Sequence, residues 1–425
     1  MKKKKAPLVR RMKEFVKTSV VWGPLDHNLF FTIIFLNVYG IIMVYSASYN
    51  NSITKNYSYF MNNQLKNVIF GFVIMIVASY VNYHRIVRLG WGWFWLLAAV
   101  AIIAALKTPL AHSELGATRW IKLGPVSFQA AEPIKAAIII FFAYYVSYWG
   151  LNRWYNQLLA CLLAIALLGF LFFFSNNLST VIVLFCICAV IILSSVKKPD
   201  LYVYFLLGLA LIIIAAIFVT VYLLMHQGAE NFRFVRIRAW LHPEEYAADE
   251  GLQAMQARYA IGAGGFWGKG LGQSLIKFKL SYSYNDFILA IICEELGVFG
   301  VIVMMTLFGY LLYRIYKIAQ NAWDIEGKVL AIGVFTQIAL QLLINVMVVT
   351  SVIPTTGVTL PFFSAGGTSV VFLLAELGMV LNVDKYAKER RFFEEAERHV
   401  AQMEQRGGIG AAGWRRRLDS ARTRR

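Results

Sequence analysis

Residues 158–174 read LLACLLAIALLGFLFFF, a run without a single charge. Residues 205–219, FLLGLALIIIAAIFV, repeat the pattern. Such runs approach the ~18–20 residues that a helix needs to cross a bilayer. The rest of the chain agrees. Of its 425 residues 59% are hydrophobic and only 15% charged, where a soluble domain carries about 25%. The reading is an all-α polytopic membrane protein of about ten transmembrane helices, expected over 28–47, 66–83, 90–107, 132–149, 155–175, 178–195, 201–225, 284–313, 327–350 and 367–383. Two long extracytoplasmic loops, 108–131 and 226–283, separate them.

Charge sets the expected orientation. An even number of spans puts both termini on one side. The first 20 residues hold eight Lys/Arg, and the tail after Val383 holds twelve. Short loops on that side carry His84, Arg85, Arg88, Arg153, Lys197, Lys198, Arg314 and Lys317. Basic short loops mark the cytoplasmic face. The net charge of +18 is therefore read as cytoplasmic basic tails touching anionic membrane lipid, with no nucleic-acid partner. The opening MKKKKAPLVRRMKEF has no apolar core of signal-peptide type behind it and is expected to be retained. The four cysteines, Cys161, Cys186, Cys188 and Cys293, all fall in apolar segments and read as small packing residues.

The outer loops break the charge rule, since they carry Arg119, Arg233, Arg236, Arg238 and Arg258. Positive charge there invites an anionic substrate, because arginine forks bind phosphate oxygens in pairs. Solvated surface arginines are the plainer account. In RWIKLGPVSFQAAEPIK (119–135), Arg119 and Trp120 pair a cation with an interfacial ring. Glu132 and Lys135 are three apart and can share a helix face that starts near Pro133. They either line a cavity or merely begin a helix. The segment IGAGGFWGKGLG (261–272) has six glycines in twelve residues. It could cradle phosphate through exposed N–H groups or pack as a loop at the membrane surface, and it does not fit the P-loop pattern.

Polar residues also lie inside the apolar runs. Gln341 and Asn345 are four apart on one helix face, where buried amides bond other helices or a substrate. Pro354, Gly357, Pro361, Gly366 and Gly367 make the following segment irregular, which at membrane depth implies burial in protein or a cavity lining. Residues 283–286, Ser-Tyr-Asn-Asp, have capping-box spacing at the start of a helix. Asp286 either caps that helix or, held ionised at its N-terminus, accepts a proton from a hydroxyl. Glu294 lies about 12 Å deeper and needs a partner in the bundle interior, as does Glu295.

Taken together these segments resemble the SEDS family of shape, elongation, division and sporulation proteins (FtsW, RodA, SpoVE). The resemblance runs from about Asp26 to Val383. It rests on VYSAS (44–48), RWI-x-LG (119–124), Q-x-x-E-x-x-K at Gln129, Glu132 and Lys135, IG-x-GG-x-x-G-x-GLG (261–272), NDFI…EELG from Asn285 to Gly297, and P-x-TG-x-x-LPF-x-S-x-GG, which includes Thr356, Gly357, Ser364, Gly366 and Gly367. It implies a basic cytoplasmic segment over 1–25, a ten-helix domain over 26–383 and a basic, partly disordered cytoplasmic tail over 384–425. The activity implied is an inverting peptidoglycan glycosyltransferase. Such an enzyme polymerises lipid II into nascent glycan at the outer face of the bacterial cytoplasmic membrane, with a lipid diphosphate as leaving group. The implied partners are a class B penicillin-binding protein and other division or elongation proteins. The family's essential aspartate matches Asp286, and its loop Glu and Lys match Glu132 and Lys135. Where the family usually reads Gln-Pro-Ser-Glu, this chain has Ala130 and Ala131 in the middle. It has Ala365 for the usual Tyr, and Tyr284-Asn285 for His-Thr. The 357–369 segment and the long tail look closer to FtsW than to RodA. No cofactor is implied with certainty. Nothing in the sequence forms a three-carboxylate metal site, although a divalent cation bridging diphosphate and acids is compatible with it. The rival readings are a lipid II flippase or transporter, which needs charged groups near the bilayer midplane, and a non-catalytic division scaffold, for which the outer-face residues are dispensable.

Overall fold

The computed structural model describes residues 21, 23–48, 59–114, 117–124, 126–175, 177–196, 239–241, 243–245, 250–278, 280, 284–365, 367–405 and 414–415. Nine of the ten expected spans fall there and are helical. The tenth, 201–225, lies outside the described residues, as do Arg233, Arg236 and Gly366.

Helix α1 runs over His27–Ser48 and α2 over Tyr59–Tyr80, starting seven residues before the expected edge at 66. The short helix α3, Tyr83–Val87, turns the chain back into α4, Trp93–Ala105. Next come α5 (Ala131–Trp149), α6 (Trp154–Ser175) and α7 (Leu178–Ser195). After α8 (Glu250–Gly264) the chain enters α9 (Ile288–Asn321), α10 (Ile325–Val349) and α11 (Thr368–Gln405). Six of these helices, α1, α2, α6, α7, α9 and α10, are long and apolar enough to cross a membrane outright. Helices α5 and α11 miss that measure because they carry buried charged residues, Glu132 and Lys135 in one and Glu376 with Asp384 and Lys385 in the other. The chain is a multi-pass membrane protein.

Helices α5 and α10 form the centre. From Ala137 to Val146 every residue of α5 is buried, the signature of a helix surrounded by protein. Helix α10 packs against α5, α7, α9 and α11, and α11 lies along α2. Helices α6 and α7 sit at the rim, with Leu158, Leu162, Ile165, Phe173 and Ile182 exposed, as lipid-facing side chains are.

Three features depart from the expected outline. The loop 108–131 contains an antiparallel meander, β1 (Ala111–Glu114), β2 (Ala117–Leu123) and β3 (Val126–Gln129), in the order β1-β2-β3. Trp120 stands opposite Gln129, and Ile121 opposite Phe128. Strand β3 runs through Ala130 straight into α5, so the sheet delivers Gln129 to the helix that holds Glu132 and Lys135. Second, α9 begins at Ile288 with Phe287 at its N-cap. Asp286 sits in the preceding turn, so the capping-box placement of Asp286 is corrected. Third, α11 does not end at Val383 but continues to Gln405.

Candidate functional site

A small open cleft lies at the end of the bundle where α5 and α7 begin. Its walls are Gln129 from the end of β3, Ala131, Glu132 and Lys135 from the start of α5, Asn177, Ser179, Thr180 and Val183 from the start of α7, Gln341 from α10, and the segment Thr356–Thr359. Lys135 Nζ donates to Glu132 Oε1 at 2.9 Å, and both side chains are nearly fully buried. Pro133 falls in the first helical turn, where its missing N–H costs nothing. An ion pair this buried is held only when each charge keeps its partner.

The α7 wall is built by a local cap. Asn177 is the N-cap, and its Oδ1 accepts from Thr180 N at 3.4 Å. Ser179 Oγ then donates to the Thr356 carbonyl at 3.0 Å, which ties α7 to the irregular segment after α10. Sequence reasoning treated the 176–177 junction only as a connection. Its signal was there, because Asn177, Ser179 and Thr180 interrupt two long apolar runs.

The irregular segment is held from below by Asn345. Its Nδ2 donates to the Asp286 carbonyl and to the Val358 carbonyl, each at 2.9 Å. Ser364 Oγ donates to the Asn285 carbonyl and accepts from Leu360 N, both at 2.8 Å. Ala365 N donates to the Tyr284 carbonyl at 2.9 Å. The turn 284–287, with Asp286 on it, is therefore bonded to the cleft wall through backbone groups that α9 and α10 leave unpaired. Of the expected site residues, Gln129, Glu132, Lys135, Gln341, Thr356 and Gly357 line the cleft. Asp286, Asn345 and Ser364 form its support. Gly367 takes the left-handed φ of 55° just before α11, and Trp120 is half-buried on β2. Arg119 lies on the same strand.

The acids inside α9, Glu294 and Glu295, do something else. Gly297 breaks α9 with φ 64° and ψ −161°, and the glycine-rich segment fills the break. Lys269 N and Gly270 N donate to the carbonyls of Glu294 and Glu295, both at 2.9 Å, and Val298 N donates to Gly265 O at 3.1 Å. Glu294 binds Lys269 Nζ at 2.7 Å, the Ser274 hydroxyl and Leu275 N at 3.2 Å. Glu295 binds the Ser46 hydroxyl and Ser274 N, with Lys277 Nζ 3.5 Å away. The N–H groups of Gly268, Lys269 and Gly270, candidates for phosphate, thus go to main-chain carbonyls. The motifs 44–48, 261–272 and 294–297 form one packed knot.

A family model described as a cell cycle protein, covering FtsW, RodA and SpoVE, matches residues 26–389. The chain belongs to this family. Among relatives, "Probable peptidoglycan glycosyltransferase FtsW" of Bacillus subtilis (strain 168) is 32% identical over 374 residues, 85% of this chain and 91% of the relative. Stage V sporulation protein E of the same organism is 33% identical over 372 residues, 84% of this chain and 96% of the relative. Two solved structures share the fold. One belongs to a peptidoglycan synthase complex, with a TM-score of 0.71 and 22% identity over 86% of this chain and 99% of that one. The other is the rod shape determining protein RodA of Thermus thermophilus, with a TM-score of 0.62 and 22% identity over 86% of this chain and 98% of that one.

Proposed function

We propose that this member of the family is a peptidoglycan glycosyltransferase that polymerises lipid II at the outer face of the cytoplasmic membrane. The observation that carries the reading is the Asn345 amide. By bonding the carbonyls of Asp286 and Val358, it joins the turn bearing the family's aspartate to the wall of a cleft that holds a buried Glu–Lys pair.

Asp286 acts as general base. It removes the proton from the acceptor sugar's 4-hydroxyl as that oxygen attacks the donor's anomeric carbon. The bond from this carbon to the lipid diphosphate breaks on the opposite side, so the product linkage is β. The cations suited to the leaving diphosphate are Lys135 within the cleft and the loop arginines Arg119, Arg233 and Arg236. Gln129, Trp120, Gln341, Thr356, Gly357, Ser364, Gly366 and Gly367 shape the sugar and backbone surface around it. Both basic termini lie in the cytoplasm, and the partner is a class B penicillin-binding protein that cross-links the product. The likeness to a chain of a peptidoglycan synthase complex supports that pairing. Against a transporter, the deep acids Glu294 and Glu295 are already bonded to lysines, hydroxyls and N–H groups, which leaves them no cargo to carry.

Asp286→Asn tests the reading. It keeps the size and shape of the side chain but cannot take a proton. A positioned base contributes about 10²–10⁴ in rate, so lipid II polymerisation by folded, partner-bound Asp286→Asn should fall by that order. Near-parent polymer on a gel would refute the role.

A further inference from the structure

One buried acid takes no part in the chemistry above. Glu376 of α11 is 1% exposed and is not among the residues that line the cleft. Gln337 of α10, fully buried, donates Nε2 to Glu376 Oε2 at 2.8 Å. The two remaining oxygens of this couple, Glu376 Oε1 and Gln337 Oε1, are buried and have no hydrogen-bond partner among the described residues. Gln337 stands one helical turn, about 6 Å, deeper than Gln341 of the cleft wall. The couple therefore lies beneath the cleft floor.

Among the described residues, the charged groups that act on Glu376 are Lys135 and Glu132, both from α5. Helix α10 contributes the Gln337 amide. Of the other helices packed on α11, α2 carries Lys66, which is exposed, and α9 carries Glu294 and Glu295, which are engaged by Lys269 and Lys277; none of the three acts on Glu376. The charge count follows. Lys135 is already paired with Glu132 at 2.9 Å. One ammonium cannot neutralise two buried carboxylates, so an ionised Glu376 leaves the cluster with an uncompensated negative charge in a low dielectric. Groups so placed neutralise instead. The hydrogen count agrees. A carboxylate and an amide oxygen only accept, whereas a carboxylic acid also donates. One proton on Glu376 Oε1, given to Gln337 Oε1, satisfies both orphan oxygens and closes an acid–amide ring of two hydrogen bonds.

We propose that Glu376 is held as a carboxylic acid closed head to head with Gln337, and that it is a positioning residue that leaves the Lys135 ammonium to Glu132 and the cleft. Loss of its proton to solvent creates a second carboxylate beneath Lys135. That carboxylate competes with Glu132 and draws the ammonium down, away from the diphosphate.

The activity half of this rests on the glycosyltransferase reading, and the protonation half does not. Infrared difference spectra of the full chain in lipid nanodiscs, parent minus Glu376→Gln at neutral pH, should show the carbonyl stretch of a protonated carboxyl group. Its absence overturns the proposal. Lipid II polymerisation is then followed against pH with the partner bound. The parent should lose rate on the alkaline side. Glu376→Gln, which preserves the couple and cannot ionise, should match the parent near neutrality and hold its rate in alkali. An alkaline loss identical to the parent's overturns the positioning role. Glu376→Met cannot ionise either and carries the same reading if the Gln variant fails to insert. A parent inactive at every pH would overturn the glycosyltransferase reading and the positioning role with it, while the infrared band still decides the protonation.

Discussion

At the scale of single residues, the cleft depends on groups whose partners are few and buried. Asn345 is fully buried and bonds two carbonyls that no helix satisfies. Asn345→Leu keeps the volume and removes both bonds. Each buried acceptor left unpaired costs about 1–3 kcal/mol, so thermal unfolding in detergent should shift down and polymerisation should fall with it. An unchanged transition would show that the bridge contributes nothing. The Glu132–Lys135 pair is expected to respond differently. Removing either partner strands a buried charge, which costs about 3–5 kcal/mol. The double variant Glu132→Ala with Lys135→Ala should be less destabilised than either single one, as a double-mutant cycle on the unfolding midpoint would show. This pair was legible in the sequence because its spacing of three is a helix-face spacing. The partners of Asn345 were not legible, since they lie 13 and 59 residues away in the chain.

At the scale of elements, the break in α9 is the decisive one. A Cβ on Gly297 would stand 2.4 Å from Gly268 N and 2.5 Å from the Phe266 carbonyl, at a φ of 64°. A Cβ on Gly268 would stand 2.2 Å from the Glu295 carbonyl. Backbone cannot yield as a side-chain tip does. Gly297→Ala and Gly268→Ala should both unseat the loop, read as faster proteolysis between 265 and 278 and a lower unfolding midpoint. Gly262 lies inside α8 with nothing within 4 Å of a Cβ. Gly262→Ala should be neutral or stabilising by about 0.5–1 kcal/mol, because alanine suits a helix interior. The glycine richness of 261–272 was plain in the sequence. What those glycines approach was not, since their contacts are the carbonyls of a helix that a pattern of apolar residues presents as unbroken.

At the scale of the whole molecule, a polar cluster at the opposite end from the cleft ties five helices together: α2, α3, α5, α10 and α11. His84 Nε2 lies 2.8 Å from Asp324 Oδ2 and its Nδ1 2.8 Å from Asn82 Oδ1. Tyr83 Oη donates to Asp324 at 2.6 Å, and Arg88 and Ser147 both bond Glu326 at 2.9 Å. Asn382 of α11 joins through Tyr83 N and the Ser79 carbonyl. Burial by itself would raise the Asp324 carboxyl, but hydrogen bonds from His84, Gly327 N and Tyr83 hold it below the ordinary carboxylate range. A depressed folded value means stability that is present above the unfolded value of about 3.9 and lost as pH falls through the folded one. Thermal scans below pH 4 should therefore show a steeper decline for the parent than for Asp324→Asn. Equal slopes would remove the carboxylate from the account. The same end of the molecule carries the topology test. A reporter active only outside the membrane, fused after Gln405, should be silent. Activity there would overturn the placement of the termini in the cytoplasm.

The sequence by itself determined what depends on neighbours along the chain. Uncharged runs near twenty residues demand helices, because no other local structure satisfies the backbone in lipid. The spacing of Glu132 and Lys135 demanded one helix face. Tertiary structure decided everything that depends on distant segments meeting. It broke α9 at Gly297, folded 111–129 into a sheet, and moved Asp286 from a helix cap to a turn held by Asn345. It also gave Glu294 and Glu295 to structure while leaving Glu376 under the cleft with too few cations. The reason is common to all of these. A buried polar group in a membrane must find its partner inside the protein, and which partner it finds is a property of packing, not of spacing.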